Sequence, residues 1–213
     1  MQLIFGGSFD PIHQGHIQSA LALLAHLNAS SVSFIPNALS PLKQRQSLSP
    51  ESRRALLELS LAPYPALSLD WREVQRGGSS YTVDTLRQLR REQPQQSLVF
   101  VMGQDSFNQL RRWREWQQLT DYAHLLVMAR PGYQPDYPEP LAQWLAPRKV
   151  EQADSLRDSE AGKVYFCQLP PYPVSSTELR EACAAGNWQW ASDYLSAEVV
   201  NYIQQQGLYQ GSA

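Results

Sequence analysis

The chain is poor in the groups that brace a protein covalently or through a metal. Among 213 residues there are two cysteines, Cys167 and Cys183, and four histidines. The cysteines lie too far apart for a metal or redox motif, and a pair in a chain this size reads as reduced thiols rather than a disulfide framework. Long apolar runs are also lacking. None approaches the ~20 residues needed to span a bilayer, and Met1-Gln2-Leu3-Ile4-Phe5 has neither the basic region nor the apolar core of a signal peptide, so the cytoplasm is the expected location. Charge of one sign is scarce too. With 18 Lys and Arg against 20 Asp and Glu the net charge is −2, which gives no pull on a polyanion and disfavours nucleic acid as a partner. The pairs Arg53-Arg54, Arg90-Arg91 and Arg111-Arg112 read as solvated helix faces, a binding role staying most open for the last. There is no internal repeat and no low-complexity linker. No G-x-G-x-x-G follows the first strand, which argues against an NAD-binding dehydrogenase.

What remains is 43% hydrophobic, enough to bury a core. The expectation is one domain over 1–213, with a core to about residue 170 and a helical part over about 171–213. Apolar runs alternate with helical spacing. Strands are expected at Leu3–Phe5, Ser31–Ile35, Leu67–Asp70, Ser97–Met102, His124–Met128 and Lys163–Leu169. Ser97–Met102, the most apolar, should lie centrally beside the first. Ser49-Pro50-Glu51 starts a helix through Leu56, Leu57 and Leu61, and another begins at Thr82. One helical region is expected to hold Phe107, Leu110, Trp113, Trp116 and Leu119. From Tyr133 to Gly162 only a short helix at Leu141–Leu145 is assignable, and helices close the chain around Thr177–Ala185, Trp188–Leu195 and Ala197–Gln205. Repeated βα units with right-handed crossovers give an α/β fold: an open, doubly wound, Rossmann-like parallel sheet with helices on both faces and a small C-terminal helical subdomain.

Two stretches carry chemistry. In Gly6-Gly7-Ser8-Phe9-Asp10-Pro11-Ile12-His13-Gln14-Gly15-His16, Gly6 and Gly7 allow a sharp turn and close approach of a ligand to the backbone. A helix starting near Gln14 would put His13 and His16 at its open end, where amides favour a phosphate. Two imidazoles without a third ligand make a poor metal site and a good cradle for phosphoryl oxygens. In Ser175-Ser176-Thr177-Glu178-Leu179-Arg180, Ser175 and Glu178 have capping-box spacing, while Ser176, Thr177 and Arg180 suit a di- or triphosphate tail; both roles use the same helix end. Asp105, after Gly103 at a strand end, suits ribose hydroxyls, with a helix N-cap as the plain alternative.

Together, G-G-S-F-D-P-x-H-x-G-H and V-S-S-T-x-x-R resemble the nucleotidyltransferase superfamily that carries H-x-G-H, and in this spelling bacterial nicotinate-nucleotide adenylyltransferases. The resemblance runs from Gly6 to the tail Tyr202–Tyr209. It implies an ATP site built from Gly6, Gly7, Ser8, Phe9, His13, His16, Gly103, Asp105, Ser175, Ser176, Thr177 and Arg180, with His13, His16 and Arg180 catalytic. It also implies an acceptor site of Lys43, Thr82, Asp105, Trp113 and Arg130. Thr82 lies in Ser80-Tyr81-Thr82, where an N-cap is the alternative, and Trp113 in an aromatic stretch where core packing is the usual explanation. One segment departs: where the family has P-P-H, this chain has Ser40-Pro41-Leu42, followed by Lys43.

The implied reaction is adenylyl transfer from ATP to nicotinate mononucleotide, giving nicotinate adenine dinucleotide and pyrophosphate. Mg²⁺ would arrive with ATP, as no carboxylate cluster offers it a protein site. The partners are small molecules, with neither nucleic acid nor membrane, and a homo-oligomer stays open. The rival readings are the same transfer to nicotinamide mononucleotide or another phosphorylated acceptor, and a non-catalytic nucleotide-binding regulator. A class I aminoacyl-tRNA synthetase ranks last, because the chain is short and not basic.

Overall fold

A computed structural model of the protein describes residues 1–39, 48–129, 137–170 and 172–210. Seven strands form one parallel sheet: β1 (Gln2–Gly7), β2 (Ser31–Pro36), β3 (Leu67–Leu69), β4 (Leu98–Gly103), β5 (His124–Ala129), β6 (Lys149–Val150) and β7 (Val164–Gln168), in the order β3-β2-β1-β4-β5-β7-β6. The helices are α1 (Gln14–Leu27), α2 (Pro50–Leu61), α3 (Arg72–Arg76), α4 (Thr82–Glu92), α5 (Gln104–Asn108), α6 (Leu119–Tyr122), α7 (Glu139–Leu145), α8 (Ser176–Ala184), α9 (Trp188–Ser192) and α10 (Ala197–Gln205). The chain winds outward from β1 to β3, then returns to place β4 on the other side of β1, with Phe5 opposite Val101 on one flank and Phe34 on the other. That reversal puts the switch point between β1 and β4, where a parallel sheet binds ligands off its carboxyl edge.

Alternation along the strands sorts the core. Leu3 and Phe5 of β1 face one side, with Ile17, Ala20 and Leu23 of α1, while Ile4 faces the other with Phe100 of β4 and Val83 and Leu86 of α4. A third apolar cluster joins Leu56 of α2 to Leu179, Cys183, Val199 and Ile203 of the C-terminal helices. The expected strands and most helices are present, and Ser49 caps α2 by accepting from the Ser52 amide at 3.2 Å.

Three expectations change. The stretch from Phe107 to Leu119 is not one helix: α5 gives way to 3₁₀ turns at Leu110–Arg112 and Trp116–Gln118 before α6. Glu115 breaks it at φ 49°, and its carboxylate is held there by Arg87 at 2.9 Å and Arg114 at 3.2 Å. β6 adds an outer edge strand of two residues, too short for any periodicity to reveal. Nor do all the arginine pairs face water. Arg90 donates to the carbonyls of Gln93, Pro94, Gln96, Tyr122 and Glu160, knitting the end of α4 to the start of β5. Arg53 is wholly buried.

Candidate active site

The β1–α1 connection turns at Phe9, a non-glycine residue at φ 47°, rather than at Gly6 or Gly7, which still belong to the strand. The need for glycine there is steric. A Cβ on Gly6 would stand 2.9 Å from the Phe100 ring, and one on Gly7 2.8 Å from the Phe9 ring. Phe9 is itself a core residue, edge-on to His16 at 5.1 Å between ring centres, so it props that imidazole from below. His13 is the N-cap of α1 without bonding a helix amide through its side chain, and its ring lies 3.8 Å from that of His16. The Gln14 amide is taken by the Tyr194 carbonyl at 2.9 Å and the His16 amide by His13 O at 2.9 Å, so this helix end offers an anion its histidines more than its amides.

His13 is 6% exposed, and its Nδ1 has no hydrogen-bond partner among the described residues. Burial lowers its pKa from 6.5 to about 4, offset in part by the Glu178 carboxylate. Near pH 7 it is therefore a neutral imidazole. A triphosphate placed against it would favour its charged form again.

The second motif meets this loop directly. Ser175 and Glu178 form a complete capping box at the start of α8, leaving the other side chains free to reach across. Ser176 Oγ donates to Pro11 O at 2.9 Å, and Arg180 Nη1 donates to Asp10 O at 2.7 Å while Nη2 reaches Thr177 Oγ1 at 3.1 Å. Residues 165 and 170 positions apart in the chain are thus brought together. A guanidinium has five donors, so Arg180 keeps further N–H groups for an anion.

Beside the loop, off the ends of β1, β2 and β4, lies a cavity of about 350 Å³. Gly6, Gly7 and Ser8 form the wall nearest the loop, and Thr82, Asp105 and Trp113 also line it. The N-cap alternative accounts for neither Thr82 nor Asp105, while Trp113 does pack against the second core cluster. Tyr81, not Thr82, is the N-cap of α4, and Gly103, not Asp105, that of α5. Trp113 stands edge-on to Phe100 at 6.1 Å and lines the cavity. The Ser80-Tyr81-Thr82 turn is pinned to the end of β2, since Ser80 N donates to Leu39 O at 2.9 Å and Ser80 Oγ accepts from Ala38 N at 2.8 Å. Gly103, Phe9, the histidines and the α8 residues do not line this cavity. Lys43, its neighbour Leu42, and Arg130 fall outside the described residues.

Sequence reasoning missed four residues here. Glu73 of α3 lines the cavity, accepts from Thr85 Oγ1 at 2.6 Å, and has its pKa raised by burial. Arg112 and Arg114 line it as well. Arg114 is tied to Glu115 and to Asp84 (3.8 Å) and lies 4.8 Å over the Tyr81 ring, whereas Arg112 forms no ion pair among the described residues. The fourth is Arg53. Its Nη1 donates to Ser8 O at 3.4 Å and to Asn37 Oδ1 at 3.5 Å, it lies 5.5 Å from the Trp71 ring centre, and its Nε and Nη2 find no partner among the described residues. No motif marked Arg53, but its place three residues into an amphipathic helix beside Leu56 and Leu57 could have flagged an inward face. Among the described residues no group of three or more His, Cys, Asp or Glu could hold a metal ion.

The cytidylyltransferase-like family model matches residues 4–182. A protein of Aeromonas salmonicida named "Probable nicotinate-nucleotide adenylyltransferase" is 44% identical over 97% of this chain and 96% of its own length. One of the same name from Cronobacter sakazakii is 39% identical over 99% and 96%. Among solved structures, the nicotinic acid mononucleotide adenylyltransferase of Plasmodium falciparum, complexed with NaAD, superposes with a TM-score of 0.75 at 18% identity, covering 99% of this chain and 98% of that one, which speaks for the fold. With a family model spanning both the histidine loop and the Ser175–Arg180 motif and relatives matched over nearly their full length, the chain belongs to the cytidylyltransferase-like nucleotidyltransferases, among the nicotinate-nucleotide adenylyltransferases.

Proposed function

We propose that the protein transfers the adenylyl group of ATP to nicotinate mononucleotide. An oxygen of the acceptor's 5′-phosphate attacks the α-phosphorus, the bond from that phosphorus to the bridging oxygen breaks, and pyrophosphate leaves with the electron pair. The products are nicotinate adenine dinucleotide and pyrophosphate. The observation that carries this reading is the junction of the two motifs beside the cavity: Ser176 and Arg180 bond the Asp10-Pro11 backbone of the histidine loop, and Gly6 to Ser8 of the same loop form one cavity wall.

The attacking phosphate is already an anion, so no side chain need serve as base or form a covalent adduct. Catalysis then consists of positioning and of neutralising charge that grows on the α-phosphoryl and leaving oxygens. His16, with His13 beside it, serves the α-phosphate. Ser176, Thr177 and Arg180 serve the β,γ end. Asp105 takes ribose hydroxyls, Trp113 stacks on the pyridine, and Thr82 approaches its carboxylate. Lys43 and Arg130 are proposed as further contacts to the acceptor. The donors facing the phosphates are neutral or cationic, a set that fits Mg²⁺ chelated by phosphate and water rather than caged by the protein. Bound in that way, the ion would offset phosphate charge.

A cavity of about 350 Å³ is of the size that takes a small-molecule ligand. The cation of Arg112 on its wall supports a carboxylated pyridine over the amide. Exposed to water, such a charge contributes about 1 kcal/mol or less, roughly fivefold in affinity. The test is pyrophosphate release from ATP over a panel of phosphorylated acceptors. Fastest release with nicotinate mononucleotide is expected. A faster rate with nicotinamide mononucleotide would overturn the acceptor, and no release with any acceptor would favour a non-catalytic regulator.

A further inference from the structure

The tail of the chain returns to the histidine loop. After α10 the backbone reverses through Gly207 at φ 59°, with Leu208 N donating to Ile203 O at 3.0 Å, and delivers Tyr209 beside Asp10. Tyr209 is itself left-handed at φ 61°. A non-glycine residue there costs about 1–3 kcal/mol and persists only where its surroundings over-determine it. Two features do so: the ring packs against the third apolar cluster, and the hydroxyl donates to Asp10 Oδ1 at 2.8 Å, 199 positions away.

We propose that Tyr209 is a positioning residue for adenylyl transfer, its hydroxyl fixing the Asp10 carboxylate and through it the loop that presents His13 and His16. Asp10 is 6% exposed, follows the turn at Phe9 and precedes His13 by three residues, so its orientation sets where the imidazoles stand. Three separate elements converge on it. Arg180 of α8 holds its carbonyl, Tyr209 of the tail holds its carboxylate, and the buried Arg53 of α2, which also reaches Ser8 O, gains electrostatically from the same carboxylate. Burial and the adjacent carboxylate push the Tyr209 phenol strongly up, so it stays a donor throughout the pH range of the protein. A buried carboxylate deprived of a donor must find another or move toward water. Either response re-aims the loop, and displacements well below 1 Å are felt in turnover.

This inference rests on the adenylyl-transfer reading, and its test separates the two. Tyr209→Phe keeps the ring and removes only the donor. The expected result is a fall of about tenfold in kcat/KM for ATP, with KM for the acceptor mononucleotide within twofold of wild type. Tyr202→Phe, on the same cluster but away from the loop, should leave both unchanged. Asp10→Ala, which removes the acceptor, should lower ATP-side kcat/KM, and adding Tyr209→Phe to it should lower it no further, since the hydroxyl then has no carboxylate to hold. Wild-type kcat/KM in Tyr209→Phe, a parallel rise in acceptor KM, or additive losses in the double variant would each overturn the proposal. Should Tyr209→Phe not fold, Asp10→Ala, which keeps the hydroxyl and removes its acceptor, carries the test through the same ATP-against-acceptor split. If the wild type turns over no acceptor, the functional reading fails, and the contact is read instead by the ATP-induced rise in melting temperature. A smaller rise in Tyr209→Phe than in wild type supports it, and an equal rise overturns it.

Discussion

Replacing Gly15 by Ala should separate stability from activity in one step. Gly15 is the second residue of α1, where Gly→Ala ordinarily stabilises a helix by about 1 kcal/mol. Here the new Cβ would stand 3.0 Å from both Cε1 and Nδ1 of His13 and 3.1 Å from Cγ1 of Val174, so each neighbour must yield by a few tenths of an ångström. Overpacking of this kind costs about 1–3 kcal/mol, which cancels the helix gain or exceeds it by up to about 2 kcal/mol. For a chain of this length the net loss of at most about 2 kcal/mol should lower the melting temperature by no more than about 8 °C. Activity has no such compensation. Val174 leads into the Ser175–Arg180 motif and His13 belongs to the other, so whichever group yields, an element proposed to contact phosphate moves. If a 1 Å error costs roughly 10²-fold, a third to a half of that costs about 5- to 10-fold in kcat. The assay pairs pyrophosphate release with thermal melting on one preparation. Full turnover at an unchanged melting temperature would refute the steric reasoning, and so would a large loss of stability with normal kcat in the folded fraction.

Other expectations follow from the same geometry. His16→Ala should fold normally, change ATP affinity little and lose about 10²–10³ in turnover, the usual loss for one donor to developing charge; near-normal kcat would remove His16 from that role. Stability should fall as the pH drops. The pKa of His13 is depressed on folding to about 4, so between pH 6.5 and 4 the unfolded chain binds the extra proton, and up to about 3 kcal/mol is lost across that window. His124 adds in the same sense, since its Nδ1 accepts from Lys163 N at 3.1 Å and a second proton would break that bond. Melting curves at several pH values, flattened by His13→Gln, check this. Arg90→Ala should destabilise by about 1–2 kcal/mol, because it takes the guanidinium from several partly exposed carbonyls that it ties together, while kcat below the melting temperature stays within twofold. An unchanged denaturation midpoint would show that water replaces the guanidinium at no cost.

Much of the fold is local in origin and could be read from the chain. The five-residue apolar runs, the Ser49-Pro50 start of α2 and the Ser175/Glu178 box each act within a few positions, so spacing reports them faithfully. The phosphate motifs are local for the same reason: a short, residue-specific run must meet an anion at one helix end. What escaped was set by distant partners. Glu115 takes a left-handed turn because arginines from α4 and its own neighbour hold it, and β6 is a strand only because β7 is there to pair with it.

The sequence by itself determined the parallel α/β class, the central place of Leu98–Gly103 beside β1, and the two motifs that mark the family, because periodicity and short motifs encode these one segment at a time. Only the tertiary structure decided that Ser176 and Arg180 grip the backbone of the histidine loop, that Arg53 lies beneath it without solvent, and that Tyr209 reaches Asp10 from the other end of the chain. A hydrogen bond across 199 residues leaves no period or spacing in the chain; it exists because packing of the C-terminal helices against α2 closes that distance.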